Sequence, residues 1–270
     1  MREWPPGFGG VERVAHELGN CWGGPVFSLD VQGHQCLLGD PLPVAYPRRR
    51  LRSIRVFGRL HLPLPSRSLI QLLTATEPIH GHLPSPGVLL LLVLARLIRP
   101  RRIITAHWHC FLENRPGLNG CLISLYQWLA LRVLPFLSAV VTTSPAISDE
   151  LQSCGCCPPK VVVLPCCLGV TQEELSLAIP LPVAQESEPM RLLFIGRLDS
   201  YKRLDWLLHS LANMRQAWRL SVVGDGPKRS RFEQLAQQLF STQLQVDPRL
   251  VVFHGRLSEL QKLEQIAASD

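Results

Sequence analysis

Apolar positions along the chain keep two rhythms, one of period 3.6 and one of period 2. After the loop Gly7-Phe8-Gly9-Gly10, the residues Val11, Val14, Ala15 and Leu18 recur at helical spacing, with Glu12 in the first turn. Residues 26–31 predict a short strand, 33–50 an irregular proline-rich stretch, and 54–57 a weak strand. From residue 78 the alternation is regular. Pro78-Ile79-His80-Gly81-His82 leads into a Leu-rich helix at 87–98, followed by a strand at 102–106 and a helix at 119–134. A strand at 139–143, a short helix capped by Ser144 and running through Leu151, and a strand at 161–164 complete this part.

Residues 171–189 break the rhythm. Pro180, Pro182 and Pro189 stand among polar and acidic residues, the pattern of a linker. The alternation then restarts, with strands at 191–196, 220–224 and 250–253 and helices at 202–214, 228–240 and 258–268. Alternating strands and helices build parallel sheets covered by helices. The expected fold is therefore α/β, with two Rossmann-like domains at 1–170 and 190–270 joined by the linker 171–189.

Composition changes this picture in few places. The 270 residues are 46% hydrophobic, enough to bury a core in each domain. The net charge of +7 is unevenly placed: residues 1–150 carry fifteen Lys and Arg against nine Asp and Glu. The densest run is Arg48, Arg49, Arg50, Arg52, Arg55 and Arg59. It reads either as a solvated basic loop or as a surface that attracts anionic headgroups or phosphate. Nucleic acid is not indicated, since neither zinc-finger spacing nor an aromatic-studded basic strand occurs. Met1 to Pro6 shows no leader pattern, which points to the cytoplasm and reduced thiols. Among the nine cysteines, Cys154, Cys156, Cys157, Cys166 and Cys167 cluster, but adjacent pairs suit zinc badly, and buried or half-buried thiols are expected. Neither 87–98 nor 118–141 makes a membrane span, because Arg96 interrupts the first and Arg132 and Pro135 the second; both are expected as buried helices.

In open parallel sheets ligands bind beyond the carboxyl ends of strands, so the chemistry belongs to the loops there. Gly9 and Gly10 open a helix and let a backbone approach an anion, although such a pair is also a common turn. His107 follows the strand at 102–106, and it reads equally as a structural histidine. Gly196-Arg197-Leu198-Asp199-Ser200-Tyr201-Lys202 follows the strand at 191–196. Two cations above one strand end would clamp a diphosphate as charge develops on a leaving group. Gly224-Asp225-Gly226-Pro227 predicts a tight turn with proline at the first helical position. No Asp-x-Asp pair occurs, so no carboxylate-held divalent ion is indicated.

In succession these motifs resemble glycosyltransferase family 4, the group 1 retaining enzymes of the GT-B fold. The resemblance runs through Phe8-Gly9-Gly10-Val11-Glu12-Arg13, Ile104-Thr105-Ala106-His107, Thr143-Ser144-Pro145 and Phe194-Ile195-Gly196-Arg197-Leu198 with Lys202. It continues through Val223-Gly224-Asp225-Gly226-Pro227, Phe253-His254-Gly255-Arg256-Leu257-Ser258 and Ala267-Ala268-Ser269-Asp270. The resemblance implies that the first domain faces the acceptor and the second binds the donor nucleotide. It implies Gly9 and Gly10 near a donor diphosphate, His107 near the transferred sugar, and Arg197 and Lys202 on the leaving group. Gly196 and Gly224 would line the donor loops, with Leu257 and Glu259 near base and ribose. The activity implied is metal-independent, cofactor-free transfer from a UDP- or GDP-linked or similar donor to a glycan or lipid acceptor, with retention. A cytoplasmic enzyme in peripheral contact with an anionic inner-membrane surface fits the same resemblance.

Two features depart from the family pattern. Arg203 stands where the family usually has glycine, and Cys166-Cys167 occupies an Asn-Gly-like turn. The sequence also stops at Asp270, short of the family's Glu-x7-Glu, so the second domain is expected to be incomplete and turnover by this chain alone low. A non-catalytic nucleotide- or glycan-binding remnant or partner subunit, and a sugar-nucleotide epimerase of the same fold, are the competing readings.

Overall fold

The computed structural model describes residues 10–29, 45–57, 60–112, 116–155, 159–166, 189–247 and 250–270. They form two compact units, one within 10–166 and one within 189–270. Most of the linker 171–189, together with Gly9, Arg59, Cys156, Cys157 and Cys167, lies outside the described residues.

The first unit opens with α1 (Gly10–Trp22), β1 (Val26–Leu29), β2 (Arg48–Leu51), β3 (Ser53–Phe57), β4 (Leu60–Pro63) and α2 (Arg67–Thr74). It continues with β5 (Ile79–Leu83), α3 (Pro86–Ile98), β6 (Ile104–Trp108), α4 (Leu118–Val133), β7 (Ala139–Thr142), α5 (Pro145–Ser153) and β8 (Val161–Val163). Strands β5-β6-β7-β8 form a parallel four-stranded sheet in sequence order. Strands β1 and β2 pair in parallel, while β3 and β4 form an antiparallel pair. Leu83, Ile104, Ala106 and Trp108 join Val88, Leu89, Leu92 and Ala95 of α3 in one buried core. Ser144 caps α5 by accepting from the Ile147 amide, as its position before the apolar run predicts.

The structure corrects several sequence expectations. Residues 48–51 are not irregular: β2 pairs with β1 and buries Leu51, whereas three consecutive arginines hide any period-2 pattern. The basic run is therefore strand and hairpin rather than loop, with Arg48, Arg49, Arg50, Arg52 and Arg55 exposed. Helix α2 was not legible either; Ser66 caps it by accepting from the Leu69 amide, and it buries Leu72 and Leu73. Helix α4 is not a buried helix. Apolar residues surround it, so only one side can meet the core, and Leu118, Leu125 and Trp128 are exposed. Cys154 and Cys166 are exposed as well, because they sit in the turns after α5 and β8 and not within either element.

The second unit runs β9 (Met190–Ile195), a 3-10 turn at Ser200–Lys202, α6 (Leu204–Ala212), β10 (Trp218–Val223), α7 (Arg229–Val246), β11 (Val251–Gly255) and α8 (Glu259–Ala267). Its sheet is parallel in the order β11-β10-β9. Leu204, Leu208 and Leu211 of α6 meet Phe232, Ala236 and Phe240 of α7 across Leu220 and Val222. Trp218 stands edge-on to Phe240, with ring centroids 5.1 Å apart. Phe240 interrupts α7 with non-helical dihedrals, but the helix runs on to Val246, beyond the end at residue 240 that the sequence suggests. Helix α8 begins with a full capping box between Ser258 and Gln261, but its apolar face is open: Leu260 and Leu263 are exposed. Among the described residues no helix is long and apolar enough to cross a membrane.

Candidate functional site

In the second unit the loops after β9 and β10 interlock through their backbones. The Gly196 amide donates to Val223, and the Leu198 amide donates to Asp225 at 3.1 Å. The Lys228 amide returns a bond to the Leu198 carbonyl at 3.0 Å, and the Gly224 amide donates to Gly255 at 2.7 Å. Gly224 holds φ at +132°, and a Cβ there would strike the Gly196 carbonyl. A Cβ on Gly226 would likewise strike the Leu198 carbonyl. These glycines are required by the close approach of two chains. Pro227 does not start the next helix; a turn intervenes and α7 begins at Arg229.

This framework holds the cationic loop in place. Leu198 is buried at its centre, and Arg197 before it projects outward while Asp199 after it stays half-buried. Arg197 keeps a side-chain exposure of 49% and touches Asp199 only at 4.0 Å. Lys202 does not begin a helix as its spacing suggested; it ends the 3-10 turn that Asp199 caps through the Ser200 amide. Its ammonium lies 5.4 Å from the Tyr201 ring centre, and a Cβ on Gly196 would lie 3.8 Å from Lys202 Cδ. Arg197 and Lys202 thus both stand at the carboxyl end of β9. Arg203, placed where the family pattern has glycine, adopts φ +55°, the left-handed conformation that glycine occupies without strain. Its guanidinium stacks 3.5 Å from the Trp206 ring centre, which offsets part of the cost. Leu257 is half-buried just after β11, and Glu259 is the first residue of α8.

The first unit carries a second cluster. His107 lies within β6 and not beyond it, paired in register with His82 of β5. Period-2 geometry puts His80, His82, Thr105 and His107 on one face of these strands, opposite the core residues Leu83, Ile104 and Ala106. His109 follows β6 and stacks on His107 with ring centroids 4.2 Å apart. His80 Nδ1 bonds Thr105 Oγ1 at 2.8 Å, and His82 Nδ1 bonds His109 Nε2 at 3.0 Å. His107 is 1% exposed, and among the described residues neither of its ring nitrogens has a hydrogen-bond partner. Burial disfavours the imidazolium, so His80 and His107 are pushed down to about 4 and His109 to about 3, with His82 also lowered. All four rings are neutral at pH 7.

Sequence reasoning singled out His107 but missed His80, His82 and His109 as its companions. The signal was present as His-x-His at 80–82 and again at 107–109, and it needed only the parallel register of two strands to be read. Gly10 opens α1, and among the described residues no atom lies within 4 Å of its Cβ position.

The two units, each built on a parallel sheet alternating with helices, have the fold of the GT-B type. The chain belongs to glycosyltransferase family 4, whose model matches residues 8–171, and a second model, glycosyl transferases group 1, matches residues 189–269. Among solved structures, the chain is similar to HepE from Anabaena in complex with UDP and glucose. The identity is 17% and the TM-score 0.68, covering 100% of this chain and 71% of that one. It is also similar to a trehalose-6-phosphate protein from E. coli bound with UDP-2-fluoro glucose, at 10% identity and TM-score 0.62, covering 98% and 74%. A third is the apo lipopolysaccharide outer core galactosyltransferase WaaB, at 14% identity and TM-score 0.57, covering 97% and 69%. The second unit is shorter than its counterpart in these chains. No curated protein matches at the level of sequence.

Proposed function

We propose that this chain serves the transfer of a sugar from a nucleoside-diphosphate donor, UDP- or GDP-linked or similar, to a glycan or lipid-linked acceptor. The observation that carries the reading is the loop after β9. Two mutually interlocked backbones hold it, and it presents Arg197 and Lys202 outward from one strand end. In the transition state the bond from the sugar to the diphosphate breaks and negative charge gathers on the leaving oxygen. Two fixed cations stabilise that charge without a metal ion. Gly196 and Gly224 let the diphosphate approach the backbone, and Gly9 and Gly10 keep the role near the diphosphate that the family resemblance implies for them. His107 would meet a sugar hydroxyl with one of its unpartnered nitrogens, while Leu257 and Glu259 would flank base and ribose. We take the transfer to proceed with retention of configuration and without any cofactor.

The test is product analysis with UDP- and GDP-sugars and oligosaccharide or lipid acceptors. The rates of Arg197→Ala and Lys202→Ala should each fall about 100- to 1,000-fold, the loss expected for one oxyanion donor. Binding of UDP without turnover would instead favour the non-catalytic reading. Activity lost in chelator and restored by manganese would overturn the leaving-group assignment. Peripheral contact with an anionic, cytoplasm-facing membrane through Arg48 to Arg59, the last of which lies outside the described residues, belongs to the same proposal. Equal sedimentation with neutral and anionic vesicles at low salt would refute it.

A further inference from the structure

The four histidines in β5, in β6 and just after β6 pose a question that sugar transfer leaves unanswered. A buried imidazole normally satisfies both ring nitrogens. Here His80 Nε2, His107 Nδ1 and His107 Nε2 are buried and have no hydrogen-bond partner among the described residues. One potential ligand atom from each of His80, His82 and His107 lies within 4.8 Å of the others. We propose that these three residues bind a divalent transition-metal ion, with zinc as the best-fitting occupant, through one nitrogen each.

The surrounding contacts suit such a site. Thr105 Oγ1 engages His80 Nδ1, which leaves Nε2 to carry the lone pair and aims it inward. His109 engages His82 Nδ1 in the same manner and frees Nε2 of that ring. Partners of this kind, one step behind the ligand, set tautomer and ring orientation in metal sites. His107 offers either nitrogen, and its stack on His109 holds the ring plane. A tetrahedral ion with bonds of about 2.0–2.1 Å sets its ligand nitrogens about 3.3 Å apart. The present ligand atoms, within 4.8 Å of one another, need to draw together toward that spacing to hold an ion. An all-imidazole set takes zinc, copper, nickel or cobalt, and it discriminates against magnesium and manganese, which prefer oxygen. Three protein ligands leave a fourth position for water. The site stands on this geometry whether or not the chain transfers sugar. If it does, ion and sugar hydroxyl would compete for His107.

Titration of chelator-treated full-length chain with cobalt(II) and zinc(II), by calorimetry and visible absorption, tests the proposal. The expected result is one saturable equivalent with tetrahedral cobalt ligand-field bands and no thiolate-to-cobalt charge-transfer band. The melting temperature should rise with zinc but not with magnesium. Thr105→Val should weaken zinc about 10- to 100-fold, the usual effect of removing an orienting partner. His80→Gln, at a half-buried position, should weaken it further while circular dichroism shows an unchanged fold. Absence of saturable binding, a thiolate band, or full affinity in both variants would overturn the proposal. None of these readouts depends on turnover, so failure of the transferase reading leaves them intact.

Discussion

Replacing Gly224 by alanine separates a merely convenient turn from one on which the donor loop depends. Two costs add. At φ +132° an L-residue is strained by about 1–2 kcal/mol. The new methyl group also collides with the Gly196 carbonyl, a backbone atom that cannot rotate away, which adds about 1–3 kcal/mol of overpacking. Alanine returns about 0.4–1 kcal/mol by restricting the unfolded chain. The net loss is therefore about 1–5 kcal/mol, a large part of the stability of a small domain. The control is Gly255→Ala in the same unit. Its φ is +72°, but its methyl group would meet only the end of the Arg229 side chain, at 3.0 Å, so the strain is shared and the backbone collision is not. Urea denaturation followed by the fluorescence of Trp206 and Trp218 reads both variants. Gly224→Ala should lose clearly more than Gly255→Ala, and UDP affinity should fall with it as the Gly196 carbonyl moves Arg197 and Lys202. A loss below about 0.5 kcal/mol, the range of an indifferent surface change, would refute the claim that the two loops are interlocked.

Two further predictions concern the first unit. Arg102 is buried and donates to the Glu77 and Leu72 carbonyls, each at 2.6 Å, tying the end of α2 to the start of β6. Arg102→Ala should cost about 2 kcal/mol in urea denaturation, because it strands the buried Leu72 carbonyl, while the Glu77 carbonyl can turn to water; a loss below about 0.5 kcal/mol would contradict this. The histidine cluster should make the metal-free unit acid-sensitive. His80 and His107 have folded-state values near 4 against 6.5 unfolded, so the unfolded chain binds more protons between those limits. Stability should be full above pH 6.5 and fall as pH drops toward 4, by on the order of 3 kcal/mol for one such histidine. A flat melting temperature between pH 7 and 5 in chelator would contradict the burial of these rings.

Much of the fold was legible because its signals are local. The Leu-rich run at 87–98, the Ser144 cap and the restart of alternation after residue 189 each depend on periodicity or on a single residue type. The order of motifs through Gly196-Arg197, Lys202 and Gly224-Asp225-Gly226 likewise pointed to the family that the matching models identify. Residues 48–51 were not legible, since three arginines carry no alternation and only their pairing with β1 makes them a strand. Helix α4 was misjudged because hydrophobicity gives the tendency to bury a surface but cannot say which surface the rest of the chain has room to cover.

The chain's own order of residues therefore determined the two α/β units, the cationic loop and the presence of histidines at spacing two. What it could not determine is proximity between segments far apart in sequence. That His82 pairs with His107 is a matter of parallel strand register. That Gly224 must lack a side chain follows from a carbonyl twenty-eight residues earlier, at Gly196. That Arg203 tolerates a left-handed backbone depends on where Trp206 places its ring. Period and propensity act over a few residues, whereas collisions, lost hydrogen-bond partners and burial arise only when the folded chain brings distant segments together.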